Sequence, residues 1–340
     1  MVIDLVVTAR SLVQAGKGIL AADETPGTIG KRFEALGISS TAQTRCAYRE
    51  LLVTAPGLQG AISGVILQDE TFRQMTSTGL PFPQALTQRG MVAGIKVDTG
   101  AKPLAKAPGE KVTEGLDGLR ERIAEYLELG ARFAKWRAVI TIGDGIPTQA
   151  CIAANAHALA RYAALCQEGG LVPIVEPEVL MDGDHSIERC FAATVTTWRR
   201  VFAELAEQGV ALDAMVLKPS MILPGKQHAA QATVDEVARR TVNGLRQTVP
   251  AAVPGIAFLS GGQSPDLATR HLQAINALGS QPWQLTFSFG RALQDEALSA
   301  WKGEAANVGK AQAALLRRTE SVASARSGAD DPVNAAPSGR

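Results

Sequence analysis

Two cationic residues interrupt an otherwise apolar segment of the sequence. In ARFAKWRAVI (131–140), Lys135 and Arg137 are two residues apart among apolar neighbours such as Trp136 and Val139. Side chains at positions i and i+2 of a β-strand point to the same face of the sheet. Because burying an unpaired cation is costly, this pattern predicts that anionic groups lie opposite Lys135 and Arg137.

Polar residues occupy comparable positions in, or just after, other predicted strands. They are Asp23, Lys96, Asp98, Glu176, Glu178, Lys218, Ser260 and Arg291. Most fall toward the carboxyl end of their strand, and in a closed barrel of parallel strands these ends meet at one face. The sequence therefore predicts one pocket that holds all of these side chains together with Lys135 and Arg137. Structural ion pairs between neighbouring strands would explain any single pair, but not the whole set, because buried pairs rarely add net stability.

Several lysines in one low-dielectric pocket are suited to Schiff-base chemistry. Burial and neighbouring cations lower the pKa of a lysine, and the free amine can then attack a carbonyl group. A glutamic acid can supply the proton with which the carbinolamine loses water. The resulting iminium ion accepts the electron pair of an adjacent C–C bond as that bond breaks. The spacing leaves open whether Lys96, Lys135 or Lys218 is the nucleophile.

Two further regions predict phosphate-binding turns. FLSGGQS (258–264) ends a strand in a Gly-Gly turn beside Ser260, and FSFGRAL (287–293) places Arg291 at the next strand–helix junction. The loops after the last two strands of a (β/α)8 barrel commonly bind phosphate, and backbone N–H groups in a turn can bind an anion. The polar turn DETPGTIGKR (23–32) is a second candidate. Two anion sites would fit a substrate that is phosphorylated at both ends.

Eight short apolar or β-branched segments alternate with amphipathic helical segments and would position these residues. The predicted strands are 18–23, 62–67, 92–98, 132–140, 171–179, 214–220, 255–261 and 284–290, and the predicted helices include 116–130, 158–170, 186–209 and 233–249. This alternation predicts a single-domain α/β protein, a (β/α)8 TIM barrel over residues 1–320. A doubly wound open sheet is the alternative. The small, polar segment 321–340 is predicted to be a disordered C-terminal tail.

The composition limits the functional classes. The 340 residues carry a formal net charge of +1, which provides no overall field for nucleic acid or an anionic membrane surface. The four cysteines are scattered and form no C-x-x-C motif, which is typical of a reduced compartment. We therefore expect a cytoplasmic protein without a signal peptide or a membrane span. The four histidines lack zinc-ligand spacing, so no metal site is predicted.

A series of short motifs runs in order through residues 15–305. These motifs are KGILAADETPGTIGKR, GIKVD, FAKWR, VPIVEPEVL, DGDH, LKPSM, FLSGGQS and LTFSFGRALQ. Together they resemble the class I fructose-1,6-bisphosphate aldolases. The resemblance implies a (β/α)8 barrel that forms a homotetramer and needs no metal or other cofactor. It also implies reversible cleavage of fructose 1,6-bisphosphate to dihydroxyacetone phosphate and glyceraldehyde 3-phosphate, in glycolysis and gluconeogenesis.

The same resemblance assigns catalytic roles within the predicted pocket. It implies that Lys218 forms the Schiff base and that Glu176 is the general acid and base. It further implies that Glu178 helps to set the charge state of the lysines. Asp23 would handle the proton of the C4 hydroxyl, and Lys135 would bind near the reacting hydroxyls.

Two phosphate sites also follow from the resemblance. Ser260, Gly261 and Arg291 would bind the phosphate of the dihydroxyacetone half. The second phosphate and the sugar hydroxyls would lie near Lys96, Arg137, Arg32, Thr25 and Thr28. The chain departs from the family at this second site, where serines are common in place of the two threonines, and it ends in Arg340 where many members have a tyrosine.

Three other functions are alternatives to cleavage of fructose 1,6-bisphosphate by a class I aldolase. The first is a Schiff-base aldolase that acts mainly on fructose 1-phosphate or sedoheptulose 1,7-bisphosphate. The second is a metal-dependent aldolase, which the histidine spacing disfavours. The third is a non-catalytic barrel that serves as a binding scaffold, and such a protein would be expected to lose the lysine or its acid. In each enzyme reading the expected partners are small sugar phosphates.

Overall fold

The computed structural model of the protein describes residues 4–328. Within this range the chain forms ten strands, which are β1 (Gly18–Ala22), β2 (Ile62–Leu67), β3 (Val92–Lys96), β4 (Gly100–Pro103), β5 (Lys111–Glu114), β6 (Phe133–Ile140), β7 (Val172–Val179), β8 (Val216–Leu217), β9 (Gly255–Phe258) and β10 (Gln284–Phe289). Each of the eight predicted strands corresponds to one of these, with boundaries that differ by a few residues at most. The short, polar strands β4 and β5 were not predicted, because neither carries an alternating apolar pattern.

Eight of these strands close into a parallel barrel. Its order is β1-β2-β3-β6-β7-β8-β9-β10, and β10 pairs with β1 to complete the circle. The two remaining strands, β4 and β5, form a separate antiparallel hairpin between β3 and β6 in the chain. The (β/α)8 TIM-barrel prediction is therefore confirmed, and the open-sheet alternative is wrong.

Helices connect the strands and surround the barrel. They are α1 (Leu5–Leu12), α2 (Pro26–Glu34), α3 (Ala42–Val53), α4 (Asp69–Phe72), α5 (Phe82–Gln88), α6 (Leu119–Glu128), α7 (Gln149–Glu168), α8 (Ile187–Glu207), α9 (Val234–Thr248), α10 (Pro265–Ala277), α11 (Arg291–Trp301) and α12 (Val308–Ala325). Side-chain caps determine where several of them begin, since Thr148, Ser186 and Thr233 each accept a hydrogen bond from the backbone N–H three residues later. None of the helices in residues 4–328 is long and apolar enough to cross a membrane.

The barrel has a filled interior that is distinct from the layer between strands and helices. Apolar side chains from β1, β2, β6, β7, β8 and β9 form the inner cluster, and α1 adds Leu12 to it. A glycine leaves room for an aromatic ring there, since a Cβ on Gly94 would lie 2.1 Å from the ring of Phe133, which belongs to this inner cluster. The side chains inside the barrel therefore pack against the strands, while the pocket lies at the carboxyl ends of the strands.

The predicted boundary of the disordered tail at residue 321 is wrong. Helix α12 continues to Ala325, and both Val322 and Ala325 are buried. Residues 321–328 thus belong to the folded domain. Composition was a poor guide here, because small residues such as alanine and serine can continue the buried stripe of a helix as well as form a tail. The rest of the predicted tail, 329–340, lies outside the described residues.

Arg326 connects the end of α12 to the segment around the α1–β1 loop and to β10. Its guanidinium donates hydrogen bonds to the backbone carbonyls of Val13, Gln14, Lys17 and Leu285. Burial lowers the pKa of Arg326 to about 10, and no carboxylate within residues 4–328 pairs with it. The side chain is thus held by carbonyl groups from both ends of the chain.

We predict that Arg326→Ala destabilises the fold. Removing the guanidinium leaves several partly buried carbonyls without a donor, which should lower the free energy of unfolding by about 2 kcal/mol. Urea unfolding followed by circular dichroism measures this change. Arg317→Ala, at an exposed position of the same helix, is the matched control and should leave the unfolding midpoint unchanged. An equal effect of the two substitutions would contradict the role given to Arg326.

Candidate active site

A cavity of about 670 Å³ opens at the carboxyl ends of the barrel strands. Every residue that was predicted to lie in the site lines it. These residues are Asp23, Thr25, Thr28, Arg32, Lys96, Lys135, Arg137, Glu176, Glu178, Lys218, Ser260, Gly261 and Arg291. Several other lining residues were not predicted from the sequence, including Glu24, Ser288 and the first two residues of the β4–β5 hairpin.

Strand register brings the ionisable residues to one level of the barrel. In the pairing of β6 with β7, Arg137 lies opposite Glu176. In the pairing of β7 with β8, Val175 lies opposite Leu217, and the N–H of Lys218 donates to the carbonyl of Val175 at 2.8 Å. Lys218 therefore emerges from the end of β8 beside Glu176.

Glu176 is shared between two buried lysines. Its Oε1 lies 3.3 Å from Nζ of Lys218, and its Oε2 lies 3.4 Å from Nζ of Lys135. The ammonium of Lys135 also contacts Oδ2 of Asp23 at 2.6 Å. Lys135, Glu176 and Lys218 are each 3% exposed. The buried cation at Lys135 thus has two carboxylate partners, as the sequence predicted.

This arrangement keeps Asp23 and Lys135 charged. Burial alone would raise the pKa of Asp23, but attraction to Lys135 and Lys218 outweighs it and lowers the pKa to about 2. Burial alone would lower the pKa of Lys135, but attraction to Asp23 and Glu176 raises it above its ordinary value. Lys135 is consequently a fixed ammonium group, whereas Lys218 contacts, among the described residues, only the carboxylate that it shares.

A second group of charges lies beside the first, toward the β4–β5 hairpin. Arg137 pairs through its Nε with Glu178. Asp98 accepts hydrogen bonds from Nζ of Lys96 at 2.6 Å, from the N–H of Gly100 at 3.1 Å and from the N–H of Arg137 at 3.2 Å. Asp98 therefore joins the end of β3 and the start of the hairpin to β6. It was noted in the sequence as a strand carboxylate but was given no role in the site.

The Gly-Gly turn after β9 has the features of an anion site. Gly261 and Gly262 have φ values of 58° and 86°, a left-handed conformation that favours glycine. Nη2 of Arg291 lies 3.4 Å from the point that a Cβ on Gly262 would occupy. Within residues 4–328, neither the Arg291 guanidinium nor the Ser260 hydroxyl has a hydrogen-bond or ion-pair partner. An unpaired guanidinium beside free N–H groups is suited to a phosphate.

The other predicted turn lies across the cavity, at the start of α2. Thr25 caps this helix by accepting a hydrogen bond from the N–H of Thr28 at 3.3 Å, and the two hydroxyls are 3.0 Å apart. Lys31 also lines the cavity and has no side-chain partner within residues 4–328. The second turn therefore offers two hydroxyls and an unpaired ammonium group.

Arg32 lines the cavity, but its guanidinium already has partners. It contacts Glu24, Oε1 of Gln294 at 3.1 Å and Oδ1 of Asp295 at 3.0 Å. Glu24 in turn pairs at 2.9 Å with Arg49, which is 2% exposed. Sequence spacing could not reveal this network, because its members come from the first turn, α2, α3 and α11.

A buried histidine supports the Gly-Gly turn from behind. Nδ1 of His271, on α10, lies 2.6 Å from Oε1 of Gln263, which follows the two glycines. His271 is 2% exposed, and its Nε2 has no hydrogen-bond partner within the described residues. Burial lowers the pKa of His271 to about 4, and repulsion by Arg270 adds to the shift. His271 is therefore neutral in the folded protein at neutral pH.

The chain is similar in sequence and fold to known proteins. The family model for class I fructose-bisphosphate aldolase matches residues 4–337. A protein from Xanthomonas campestris named probable fructose-bisphosphate aldolase class 1 is 57% identical over 314 residues, which are 92% of this chain and 94% of that protein. The cytosolic fructose-bisphosphate aldolase 5 of Arabidopsis thaliana is 52% identical over 93% of this chain and 88% of its own length.

A solved structure of fructose-bisphosphate aldolase from Plasmodium falciparum superimposes with a TM-score of 0.94. Its sequence is 49% identical, and the match covers 95% of this chain and 94% of that one. As for metals, residues 4–328 contain no group of three or more His, Cys, Asp or Glu side chains arranged to hold an ion.

We predict that His271 makes the stability of the fold sensitive to mild acid. The folded pKa of about 4 lies below the unfolded value, so between pH 6.5 and 4 only the unfolded chain binds the proton. The free energy of unfolding should fall over this interval by up to about 3 kcal/mol from this group. Urea unfolding at several pH values measures the slope.

The control for this prediction is His271→Gln, which can still donate to Gln263 but does not titrate. Its free energy of unfolding should fall less steeply than that of the wild type between pH 6.5 and 4. Identical slopes for the two proteins would show that His271 is not the titrating group.

Proposed function

The chain belongs to the class I fructose-bisphosphate aldolase family, and we propose that Lys218 is the nucleophile with which it cleaves fructose 1,6-bisphosphate. The observation that carries this assignment is the Glu176 carboxylate, which bridges Lys218 and Lys135. One lysine of the bridged pair is held as a cation by a further carboxylate, Asp23. The other has no such partner within residues 4–328.

The contacts of the three pocket lysines support this choice. Lys135 is held by Asp23 and Glu176, and Lys96 is held by the side chain and the carbonyl of Asp98 at 2.6 and 2.8 Å. Within residues 4–328, Lys218 has one ion-pair contact, and it is longer, at 3.3 Å. Its amine is therefore the least engaged of the three and the most available to attack a carbonyl carbon.

The proposed reaction begins with attack of the Lys218 amine on the C2 ketone of the open-chain substrate. Glu176 supplies the proton with which the carbinolamine oxygen leaves as water, and a protonated imine remains. The C3–C4 bond then breaks, its electron pair moves toward the iminium nitrogen, and Asp23 accepts the proton of the C4 hydroxyl. Glyceraldehyde 3-phosphate leaves, and an enamine stays bound to Lys218.

The second half of the proposed cycle restores the lysine. Glu176, or water, protonates C3 of the enamine, and hydrolysis of the resulting iminium ion releases dihydroxyacetone phosphate. Asp23 is ionised at physiological pH because its pKa is about 2, so it is available to accept the C4 proton, although it is a weak base. The fixed ammonium of Lys135 compensates by stabilising negative charge as it develops on the C4 oxygen. Glu178 acts indirectly, through its contact with Arg137.

Two phosphate sites are proposed, one at each end of the cavity. The C1 phosphate binds the Ser260 hydroxyl, the Gly261 N–H and the Arg291 guanidinium, which lack intramolecular partners within residues 4–328. The C6 phosphate and nearby hydroxyls bind a second set, which comprises Thr25, Thr28, Lys96, Arg137 and Arg32. Arg32 would bind by exchanging its contact with Asp295, whose side chain is 49% exposed, for the phosphate.

Two separated anion sites favour a bisphosphate over fructose 1-phosphate, which would leave the second site empty. Sedoheptulose 1,7-bisphosphate, with one more carbon, is the closer competitor. Relative kcat/KM values for the three ketoses test this order.

We further propose that the enzyme is metal-free, assembles as a homotetramer and lies in the cytosol. The names of the Arabidopsis relatives support this compartment. Light scattering during gel filtration tests the assembly.

We predict that borohydride traps dihydroxyacetone phosphate on Lys218. Reduction of the imine should add the mass of the reduced triose phosphate to the peptide that contains Lys218, and a chelator should not change the yield. Lys218→Ala should fold and lose nearly all turnover. Labelling at Lys135 or Lys96 instead would overturn the assignment, and loss of activity with the chelator would reject the metal-free mechanism.

We predict that Arg291→Ala raises KM for fructose 1,6-bisphosphate by at least about thirtyfold, because truncating a charged contact of this kind costs about 2–5 kcal/mol. Steady-state kinetics measure the change. Arg270→Ala, which removes an exposed arginine from α10, is the control and should retain the wild-type KM. Unchanged kinetics in Arg291→Ala would remove Arg291 from the proposed phosphate site.

A further inference from the structure

A second cation lies against the Gly-Gly turn, opposite Arg291. Nζ of Lys226 is 3.0 Å from the point that a Cβ on Gly262 would occupy, and Nη2 of Arg291 is 3.4 Å from the same point. Lys226 belongs to the loop between β8 and α9, and it stands at the rim, outside the lining of the cavity. None of the sequence motifs pointed to it.

The backbone around Lys226 is held tightly to the loop that follows β7. The N–H of Lys226 donates to the carbonyl of Met181 at 2.8 Å, and the N–H of Gly225 donates to the carbonyl of His185 at 2.8 Å. A Cβ on Gly225 would lie 2.2 Å from the carbonyl oxygen of Gly183, so this close approach requires glycine. The loop therefore directs the Lys226 side chain toward the turn without large movement of its backbone.

The side chain of Lys226 is available for another anion. Within residues 4–328 its ammonium contacts one carboxylate, Oδ1 of Asp182, at 3.2 Å. The two side chains are 44% and 67% exposed, and exposed ion pairs of this kind contribute only about 0–1 kcal/mol. Little free energy is therefore lost when the Lys226 ammonium leaves Asp182 and binds a more highly charged phosphate.

The positive charges around the turn are not fully balanced by acidic groups of the described residues. Lys226 and Arg291 flank the same glycine, so they repel each other, and Arg291 has no acidic partner within the described residues. The backbone N–H groups of Gly261 and Gly262 also have no acceptor there. A dianionic phosphate placed between the two cations would remove the repulsion and accept from these donors.

We propose that Lys226 is a further binding residue for the phosphate next to the reacting ketone, and that Asp182 competes with this phosphate for its ammonium group. The inference rests on the proposed function, since it places the imine on Lys218 and the C1 phosphate at the turn. It predicts that Lys226 affects only ligands that carry this phosphate. It also predicts opposite effects for the two members of the exposed ion pair.

The test compares two ligands that differ only by the phosphate. Borohydride trapping on Lys218 is measured as a function of concentration, with dihydroxyacetone phosphate and with dihydroxyacetone. Lys226→Met should raise the half-saturating concentration of dihydroxyacetone phosphate by about fivefold, the scale of one exposed charge contact, and leave that of dihydroxyacetone unchanged. Lys226→Arg should stay close to the wild type, because it keeps the charge.

The Asp182 variants decide whether the two side chains act together. Asp182→Asn should lower the half-saturating concentration of dihydroxyacetone phosphate, and this gain should shrink in the double variant with Lys226→Met. An equal gain with and without Lys226 would show that Asp182 does not act through it. Lys310→Met, at an exposed position of α12, is the matched control and should behave as the wild type.

The outcomes separate this inference from the function on which it rests. If dihydroxyacetone phosphate does not label Lys218 in the wild type, the proposed imine chemistry fails, and the inference falls with it. If the wild type is labelled and Lys226→Met has the same half-saturating concentration for dihydroxyacetone phosphate, only the inference is overturned. A similar loss for both ligands would assign Lys226 a structural role and would also overturn it.

Discussion

The sharing of one buried carboxylate, Glu176, by two buried lysines is the interaction on which the rest of the site depends. Removing two ammonium groups from water is tolerable only if each finds an anion at contact distance. Lys135 meets this condition with Asp23 and Glu176, and Lys218, within residues 4–328, meets it with Glu176 alone. The two lysines have the same chemical structure, but the ammonium group of Lys135 contacts two carboxylates and that of Lys218 contacts one.

The barrel makes this arrangement possible because its register is rigid. Arg137 lies level with Glu176 through the pairing of β6 with β7, and Lys218 follows directly from β8, which pairs with β7. A shift of one residue in either pairing would turn these side chains to the opposite face, toward the surrounding helices. The filled interior of the barrel, including the Phe133 ring that packs over Gly94, resists such a shift. The packing of the barrel interior therefore also holds the pocket side chains in position, because both depend on the same strand register.

The charged side chains in the middle of the cavity pair with one another, whereas some polar side chains at its ends have no partner within residues 4–328. The lysines and carboxylates at the centre contact one another, whereas Arg291, Ser260 and Lys31 have no side-chain partners within residues 4–328. Groups left without partners in a folded protein are those that a ligand can satisfy. This contrast agrees with the proposed binding of a ligand that is anionic at both ends. It also distinguishes Lys31 from its neighbour Arg32, which is already engaged by Glu24, Gln294 and Asp295.

The sequence by itself determined the eight barrel strands and the set of side chains that meet at their carboxyl ends. It could do so because strand periodicity assigns each residue to a face, and because a polar residue in an apolar strand stands out against its immediate neighbours. Only the tertiary structure decided which charges pair. The network of Glu24, Arg32 and Arg49, the rim position of Lys226 and the β4–β5 hairpin all depend on contacts between segments that carry no pattern of their own. The end of the domain was decided in the same way, since Arg326 is held by carbonyls as distant in the chain as Val13. Local patterns report which face a residue occupies, but long-range contacts depend on how the closed barrel brings remote segments together.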